Sequence, residues 1–489
     1  MSADRLRFHV DRGLPPAIWV GEATAHIVSG WWFHPSKRLR RLSMLVGEQP
    51  WPIRHTRDFR PDVANALASE DPDGRSLLSG FCDAVPLVFD SLELRSVGLR
   101  FEWRDGTVDA FPLGQIRFVA SPEPSESPTV ECSPGPALVI CLGTYRPNLE
   151  AFRRQIDSIV KQTFSDWVCV VNDDGSSQET LAAIREICAC DSRFRVFGNA
   201  HNVGFYRNFE RALWHAKRLG PSFVALADQD DYWYPDKLER CMEAFDENTS
   251  LVYCDMKIVR SSGEVVSDTY WFSRRNNYTD ADVVFLANTV TGAASVFRGS
   301  LLEKVLPFPE RIGDCFHDHW IACCALADGH LRYVDKPLYE YIQYGTNIIG
   351  HCSLEGQTWV RSLKASVGAV LAGAKLRRVI RESILYALET YHSEYRRLEL
   401  FGRILRQRFP CMATARARAF RLADGSWASV GRLLAAHLRY FFTGATTGDA
   451  EIRLGYGFVV AHLTPHAVRL LPRRLIQRIR THFLLAQSR

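Results

Sequence analysis

Two clusters of acidic residues each follow an apolar run, and their residue types and spacing suit the binding of a cation and a polar ligand. The apolar run at 167–171 leads into Asn-Asp-Asp-Gly-Ser at 172–176, and the run at 223–227 leads into Asp-Gln-Asp-Asp at 228–231. Crowded carboxylates repel one another and lose hydration, which disfavours their charged form. A bound cation or polar ligand offsets this cost. A single Asp-x-Asp is more often a solvated turn or a helix cap, but two clusters at equivalent strand ends favour a site. Because the candidate ligands are oxygen atoms, the expected cation is Mg²⁺ or Mn²⁺.

A cation at this position would suit a diphosphate, because it can bridge the phosphates and neutralise the charge that grows as they leave. The sequence contains no Gly-x-x-x-x-Gly-Lys-Ser/Thr and no Gly-x-Gly-x-x-Gly after the first apolar run of this region, which argues against a kinase, an ATPase and a dehydrogenase. Binding of a diphosphate would therefore depend on the cation together with basic side chains such as Arg207.

A predicted alternation of strands and helices would place both acidic clusters at one edge of a sheet. Strands are expected at residues 137–141, 167–171, 194–197 and 223–227, and helices at 149–159, 181–187 and 209–216. The longest apolar runs are typical of strands buried on both faces, and the helices have apolar residues at helical spacing. Such alternation builds a parallel, doubly wound α/β sheet, whose ligands bind at the carboxyl ends of the strands.

Residues 1–120 are predicted to form a small all-β sandwich. Apolar residues at 99, 101 and 103 alternate with polar ones, and Asp105-Gly106 then supplies a tight turn. Trp31 and Trp32 could stack on a sugar ring, but the favoured interpretation is that they fill the core or edge of the sandwich. A Pro/Ser-rich linker at 121–136 separates this domain from a catalytic domain at 137–350, and a basic helical region at 351–489 completes the division.

The composition is that of a globular protein with two oppositely charged parts. The 489 residues suffice for about three domains, with 46% hydrophobic and 24% charged residues. The net charge of +5 conceals a difference, because residues 355–489 hold 23 Lys and Arg against 8 Asp and Glu, a net of +15, and the rest of the chain has −10. The sequence has no signal-peptide pattern and no apolar run approaching about 18 residues. The 13 cysteines lack zinc-site spacing and are predicted to be free thiols in a reducing cytoplasm.

The basic residues of the C-terminal region surround apolar helical stripes. Near the end of the chain such a stripe is flanked by Arg473, Arg474, Arg478 and Arg480. One interpretation is a basic amphipathic helix on an anionic membrane surface. The alternative is a helical subdomain that packs its stripe on the catalytic domain. Nucleic acid is not an expected partner, because no zinc-finger or helix-turn-helix signature accompanies the charge.

Residues from about 137 to 350 resemble glycosyltransferase family 2, and in particular its bacterial rhamnosyltransferase-like branch. The shared motifs, in the family's order, are the opening strand and turn at 141–145, the nucleobase segment at 172–176, Asn-x-Gly and Arg-Asn within 202–208, the Asp-x-Asp region at 227–231, Pro-Asp-Lys-Leu at 235–238, Thr-Gly at 291–292, Leu-Pro-Phe-Pro at 306–309, His-Asp-x-Trp at 317–320 and Gln-x-Gly-x-Asn at 343–347. Most of these motifs are weak evidence when taken singly. The resemblance rests on the fact that they occur in the same order as in the family. It implies the type A (GT-A) fold, a Rossmann-like α/β nucleotide-diphospho-sugar transferase domain.

The resemblance also implies roles for individual residues. Asp318 is the expected catalytic base, and Asp230 is the expected metal ligand, with Asp228 and His351 as further candidates. Acceptor-side contacts are expected from Thr291, Gly292, His317 and Trp320. The expected donor-binding residues are Thr144, Tyr145, Arg146, Asp173, Asp174, Asn202, Gly204, Arg207, Asp228 and Gln229. Either Asp173 or Asp174 would accept hydrogen bonds from the nucleobase.

Two positions depart from the family's pattern. Arg146 stands where members often have Asn, and Tyr344 stands where some members have a His that helps to hold the metal or the diphosphate. Tyr344 is a poor metal ligand at neutral pH, because the unperturbed pKa of a phenol is ~10. The cation would then be held either with the help of His351, or by Asp230, the diphosphate and water.

The function implied by the resemblance is that of an inverting, metal-dependent glycosyltransferase. A hexose, with rhamnose as one candidate, would pass from a nucleotide-diphospho-sugar to a saccharide or polyprenyl-linked acceptor in surface polysaccharide synthesis, in the cytoplasm or at the inner face of the cell membrane. A sugar nucleotidyltransferase is an alternative, although residues 142–146 are a poor version of the Gly-rich basic loop that it needs. Another alternative is a carbohydrate-binding protein with an inactive transferase domain, against which the intact Asp230 and Asp318 argue.

Overall fold

The computed structural model describes residues 5–19, 24–89, 91–119, 135–272, 276–313, 316–343, 396–422, 426–429, 431–433 and 435. The strands are β1 (Arg7–Arg12), β2 (Ala17–Trp19), β3 (Thr24–Phe33), β4 (Leu39–Val46), β5 (Gln49–Ile53), β6 (His55–Asp58), β7 (Gly80–Leu87), β8 (Leu94–Trp103), β9 (Val108–Val119), β10 (Leu138–Thr144), β11 (Trp167–Asp173), β12 (Phe194–Gly198), β13 (Phe223–Ala227), β14 (Tyr232–Trp233), β15 (Thr249–Arg260), β16 (Val265–Ser267), β17 (Ser295–Arg298) and β18 (His330–Gln343). The α-helices are α1 (Pro61–Ala66), α2 (Leu149–Val160), α3 (Gln178–Cys188), α4 (Phe205–Leu219), α5 (Lys237–Glu243), α6 (Ala281–Leu286), α7 (Leu302–Val305), α8 (His317–Asp328), α9 (Arg396–Arg408) and α10 (Thr414–Ala419).

The N-terminal strands form two sheets that share one apolar core, as the sequence predicted. The strand order is β1-β3-β7-β6 in one sheet and β2-β9-β8-β4-β5 in the other. Strands β8 and β9 form the predicted hairpin, closed where the Trp103 N–H donates to the Thr107 carbonyl at 2.9 Å. The ring of Trp32 packs on that of Trp103, with 5.8 Å between the centroids, and Trp31 packs on a smaller apolar cluster. Both positions correspond to the packing interpretation of these tryptophans.

The central sheet has the order β12-β11-β10-β13-β17-β15-β18-β14, and β16 is paired with β15. Strands β12, β11, β10 and β13 are parallel, which confirms the predicted α/β arrangement for this half. Beyond β13 the sheet is mixed, because β17 runs antiparallel to both of its neighbours, whereas β15 and β18 are parallel. The sequence did not predict this mixed half.

Local signals determine where the helices around the parallel half begin. The side chain of Asn148 accepts hydrogen bonds from the first backbone N–H groups of α2, and Ser177 does the same for α3. Helix α4 starts after Gly204, whose φ of +83° is a conformation that residues with a side chain rarely adopt. Strands β10 and β11 are buried on both faces, as their continuous apolar runs predict.

Helix α9 is joined to the N-terminal sheets by buried ion pairs. Arg396 is 1% exposed, donates to the Cys82 carbonyl at 3.1 Å and lies 3.5 Å from the Glu399 carboxylate. Arg403 pairs with the buried Asp83 at 2.8 Å and with Glu399 at 3.3 Å. The two carboxylates and the arginines therefore compensate one another in a region that excludes water.

Glu399→Gln is expected to lower the free energy of unfolding by about 3 kcal/mol, because removing one member of a buried ion network leaves its partners uncompensated. The measurement is chemical denaturation followed by circular dichroism. The matched control is Glu303→Gln, which removes an exposed partner of Lys217 and should cost less than about 0.5 kcal/mol. Equal denaturation midpoints for the two variants would contradict the prediction.

Several of the predicted features fall outside the described residues. These are the stripe flanked by Arg473, Arg474, Arg478 and Arg480, the candidate ligand His351, and the motif around Tyr344. The linker predicted at 121–136 also lies almost entirely in the segment 120–134, which the structure does not describe. Among the helices that are described, none has the length and apolar character required to cross a bilayer.

Candidate active site

The carboxyl ends of three parallel strands bring both predicted clusters to one edge of the sheet. Thr144, at the end of β10, is in register with Asp173 at the end of β11. On the other side of β10, Leu142 is in register with Ala227, the last residue of β13. Asp228 directly follows Ala227 and therefore lies at the same edge. The strand register therefore makes neighbours of segments that are far apart in sequence.

Three aspartates after β13 form a cluster of carboxylates that disfavour one another's ionisation. Burial, with the charges of Asp230 and Asp318, raises the pKa of Asp228 to about 7. Burial and the charges of Asp228 and Asp230 hold the pKa of Asp231 well above its usual range. Burial also raises the pKa of Asp230. A cation would relieve this accumulation of like charge.

The donor set fits a divalent cation that is shared with a substrate. Among the described residues, no group of three or more His, Cys, Asp and Glu side chains could form a complete metal site. Asp228 and Asp230 offer two carboxylates, and Mg²⁺ is usually held by one or two carboxylates together with substrate phosphates and water. One oxygen of the buried Asp231, Oδ2, accepts no hydrogen bond from the described part of the chain. These observations fit Mg²⁺ or Mn²⁺ with a diphosphate supplying the remaining ligands.

Asp318 lies in the first turn of α8, where backbone groups hold its carboxylate. The His319 N–H donates to Asp318 Oδ1 at 2.6 Å, and the Gly292 N–H lies near enough to favour the charged carboxylate. Burial raises the pKa of Asp318 to about 6, although these N–H groups oppose the shift. Since Asp318 contributes to the raised pKa of Asp228, the two carboxylates face the same region.

His317 precedes the expected base and is buried against an aromatic ring. Its imidazole stacks on Phe209, with 3.9 Å between the ring centroids. Neither ring nitrogen has a hydrogen-bond partner among the described residues, and burial lowers the pKa of His317 to about 3. A Cβ at Gly292 would lie 2.8 Å from His317 Nε2, so the turn that follows Thr291 packs directly on the imidazole. His317, Gly292 and Asp318 therefore lie next to one another at the start of α8.

Trp320, expected on the acceptor side, lies in the core. It is fully buried, its indole N–H donates to the Val305 carbonyl at 2.9 Å, and its ring packs on Phe401 of α9. In this position it supports α8 from the side of the apolar core.

Asp173 and Asp174 are buried and bind the chain's own loops. Asp173 accepts hydrogen bonds from the Thr144 hydroxyl at 3.1 Å and from the hydroxyl and N–H of Ser176. Asp174 accepts from the N–H groups of Val203 and Gly204, both at 2.8 Å. Both side chains are only 1% exposed, so in this structure they fix the loops that follow β11 and precede α4.

Asn202 and Arg207 also serve the loops around the site. The Asn202 side chain accepts from the Gly204 N–H at 3.2 Å, next to the start of α4. The Arg207 guanidinium pairs with Glu210 at 2.5 Å and donates to the carbonyls of Phe308 and Pro309. Arg207 thus connects α4 to the loop that precedes α8.

The loop after β10 supplies the exposed groups at this edge. The Tyr145 N–H donates to Gln229 Oε1 at 2.9 Å, which joins this loop to the acidic cluster. Arg146 has a φ of +45° and donates its N–H to the Ser176 hydroxyl at 2.9 Å, and its guanidinium lies 5.1 Å from the Tyr145 ring centroid. Tyr145 and Arg146 remain exposed, so both can contact a ligand.

Sequence reasoning missed two cations beside the acidic cluster. Arg154 of α2 donates to the Asp230 carbonyl at 3.3 Å. Lys237 is buried beneath the cluster and donates to the Ala293 carbonyl at 2.5 Å. The only sequence signal for Lys237 was its place in the Pro-Asp-Lys-Leu motif, and the only signal for Arg154 was that it begins Arg-Gln-Ile-Asp-Ser-Ile at 154–159, which also resembles the family.

Comparisons with known proteins match the central part of the chain to glycosyltransferases. Residues 140–306 match the model of glycosyl transferase family 2, a segment that contains the acidic cluster and ends before Asp318. An uncharacterized glycosyltransferase of Nostoc is 25% identical over 228 residues, which cover 44% of this chain and 67% of that protein. A chondroitin synthase of Pasteurella multocida is 32% identical over 201 residues, 40% of this chain and 19% of the relative. A UDP-Glc:alpha-D-GlcNAc-diphosphoundecaprenol beta-1,3-glucosyltransferase of Escherichia coli is 32% identical over 111 residues, 22% of this chain and 42% of the relative.

Most of these relatives are matched over only part of their length, down to 14% for a bifunctional glycosyltransferase of Dictyostelium discoideum. Among solved structures, S. aureus TarS 1-349 in complex with UDP-GlcNAc has 18% identity and a TM-score of 0.37, and covers 68% of this chain and 92% of its own. A mannosyltransferase from Pyrobaculum calidifontis in complex with GDP-Man and Mn²⁺ has 16% identity and a TM-score of 0.34, with coverages of 68% and 87%.

Proposed function

We propose that the protein is an inverting glycosyltransferase that moves a sugar from a nucleotide-diphospho-sugar to a hydroxyl of a saccharide or lipid-linked saccharide in surface polysaccharide synthesis. The observation that carries the proposal is the juxtaposition of the 228–231 carboxylates with Asp318 at the carboxyl edge of the sheet. The proposal is supported by the family 2 match over residues 140–306 and by relatives whose names include polysaccharide synthases. Rhamnose is retained as one candidate sugar, from the resemblance of the motifs.

The donor would lie across the ends of β10, β11 and β13. Tyr145 and Arg146 would contact it from the exposed loop after β10, while Asp173 or Asp174 would accept hydrogen bonds from the nucleobase. Asp230, with Asp228, would hold Mg²⁺ or Mn²⁺. The cation, when bound, would stabilise the negative charge that develops on the leaving diphosphate.

Asp318 would act as the general base for the acceptor. Its pKa of about 6 leaves the carboxylate mostly ionised at neutral pH, yet basic enough to accept a proton from an attacking hydroxyl. The hydroxyl oxygen would form a bond to the anomeric carbon from the face opposite the diphosphate, so that the configuration inverts as the bond to the leaving group breaks. His317 and the turn at Thr291 and Gly292 would line the acceptor side.

Contact with a membrane is part of the proposal, because a polyprenyl-linked acceptor is anchored in one. The basic charge of residues 355–489 suits the anionic inner face of a cell membrane. The division into domains at 1–120, 121–136, 137–350 and 351–489 is retained with it.

Incubation with a panel of nucleotide sugars and Mn²⁺ or Mg²⁺ tests the proposed activity. UDP-glucose, UDP-GlcNAc, GDP-mannose and dTDP-rhamnose are each assayed for release of nucleoside diphosphate, with and without lipid-linked saccharide acceptors. We expect release from one donor, and little or none with Asp230→Ala, which removes a cation ligand. Pyrophosphate formation from a nucleoside triphosphate and a sugar 1-phosphate would instead identify a nucleotidyltransferase. Folded protein that releases diphosphate from none of these donors would contradict the proposal.

A further inference from the structure

We propose that Lys237 is a positioning residue that couples the acidic cluster to the turn that holds the general base. The inference rests on the proposed function, because it assigns Lys237 an effect on the same site. Lys237 is 1% exposed at the first position of α5 and cannot reach a substrate. Any effect on the reaction must therefore pass through its neighbours.

The ammonium group of Lys237 lies in an enclosure of aromatic rings and one carbonyl. Its Nζ is 3.4 Å from the ring centroid of Trp233 and 4.5 Å from that of Tyr339. It donates to the Ala293 carbonyl at 2.5 Å. A buried ammonium is costly unless it is paired and hydrogen-bonded, so this environment and the nearby carboxylates must offset the loss of hydration.

Lys237 contacts the strand that leads out of the acidic cluster. Strand β14 (Tyr232–Trp233) directly follows Asp231, and Trp233 pairs with Tyr339 of β18. The rings of these two paired residues are the ones that enclose the ammonium group. The lysine is thus linked by direct contact to one half of the site.

The hydrogen bond to Ala293 links Lys237 to the other half. Ala293 is the middle residue of the turn Gly292–Ala294. This turn packs tightly on the residues of the base, because a Cβ at Gly292 would lie 2.8 Å from His317 Nε2, and 3.7 Å, an ordinary contact distance, from Asp318 Cβ. A displacement of the Ala293 carbonyl would therefore move the backbone that packs against His317 and Asp318.

Lys237→Met is the decisive variant, because it keeps most of the side-chain volume and removes both the charge and the donor. We expect kcat for transfer to fall by about 10- to 100-fold, as a misplaced reacting group would cause. KM for the nucleotide sugar should change less than about threefold, because Lys237 does not contact the donor. Mn²⁺ binding, measured by electron paramagnetic resonance, should be unchanged or tighter, since a neighbouring positive charge is removed.

Two further measurements separate positioning from a loss of structure. Lys336→Met removes an exposed lysine paired with Asp236 and serves as the matched control, with kcat expected to stay within twofold. Gly292→Ala should push on the same turn from the opposite side, through His317. If both changes act on Asp318, their effects on kcat in the double variant should be less than multiplicative.

Amide hydrogen exchange tests the coupling without relying on activity. In Lys237→Met we expect exchange to rise about tenfold in peptides over residues 290–296 and 317–320, and to stay unchanged over β10 and β11. If no nucleotide sugar is consumed by the unmodified protein, the proposed function fails, and the exchange result alone decides whether Lys237 holds the turn. Unchanged exchange at 290–296, an unchanged kcat in Lys237→Met, or multiplicative effects with Gly292→Ala would each overturn the inference. A general loss of thermal stability with parallel losses of kcat and Mn²⁺ binding would also overturn it, because Lys237 would then be merely structural.

Discussion

Asp318→Asn is expected to lower the rate of sugar transfer by about 10²- to 10⁴-fold while the donor still binds, because the substitution removes a general base and little volume. The amide keeps an oxygen that can accept from the His319 N–H, so the first turn of α8 should stay in place. The measurements are kcat with the donor identified from the panel, and donor affinity by isothermal titration. The expected pattern is a loss in kcat with little change in affinity.

The pH dependence of the rate provides a second signature of the base. Burial raises the pKa of Asp318 to about 6, so the proton-accepting form is present above this pH and is lost as the pH falls through it. The rate of the unmodified protein should therefore fall about tenfold per pH unit on the acid side. A bound cation nearby would move the midpoint to lower pH, because positive charge favours the carboxylate. This acid limb should be absent from the residual activity of Asp318→Asn.

Asp328→Asn is the matched control for the base. It makes the same chemical change at the other end of α8, where the carboxylate is exposed and accepts from the Ser250 hydroxyl at 2.6 Å. We expect its kcat to stay within about twofold of the unmodified protein, because surface changes away from the site have small effects. The assignment of the base would be wrong if Asp318→Asn kept more than a tenth of the original rate, or if both variants lost activity equally.

Asp230→Asn is expected to lower transfer by at least about 100-fold, because a neutral amide replaces one of the two carboxylates available to the cation. In the unmodified protein, chelation with EDTA should abolish transfer and added Mn²⁺ should restore it. The variant should need much more Mn²⁺ for its remaining activity. Asp228 should also ionise more readily in the variant, because the charge of Asp230 contributes to its raised pKa.

Thermal stability gives a measure of cation binding that does not depend on an acceptor. A ligand that binds the folded state raises the unfolding temperature more at a given concentration when it binds more tightly, so Mn²⁺ with UDP or GDP should stabilise the unmodified protein more than Asp230→Asn. The control is Asp268→Asn, which changes an exposed carboxylate 3.2 Å from Lys257 and should behave like the unmodified protein. An equal shift in all three proteins would show that Asp230 does not hold the cation.

The sequence by itself determined the parallel half of the central sheet and the edge at which the candidate site lies. Strands β10 to β13 could be predicted because apolar runs and helical spacing are patterns among neighbouring residues. The spacing of the apolar residues indicates whether one or both faces of an element are buried. The positions of Asp173 and Asp228 followed, since Asp173 is the last residue of β11 and Asp228 directly follows β13. The hairpin of β8 and β9 was also predictable, because its turn at Asp105-Gly106 lies between two strands that are adjacent in the sequence.

Only the tertiary structure decided which distant residues meet. The mixed half of the sheet, the core position of Trp320 and the buried ion pairs of α9 depend on contacts between residues far apart in the chain, which no short pattern encodes. Lys237 illustrates the point, because an ordinary lysine in the sequence becomes a buried cation between the acidic cluster and the turn of Gly292. The physical reason is that burial, charge compensation and hydrogen-bond direction are properties of the assembled core, whereas the sequence specifies directly only what neighbours along the chain can do.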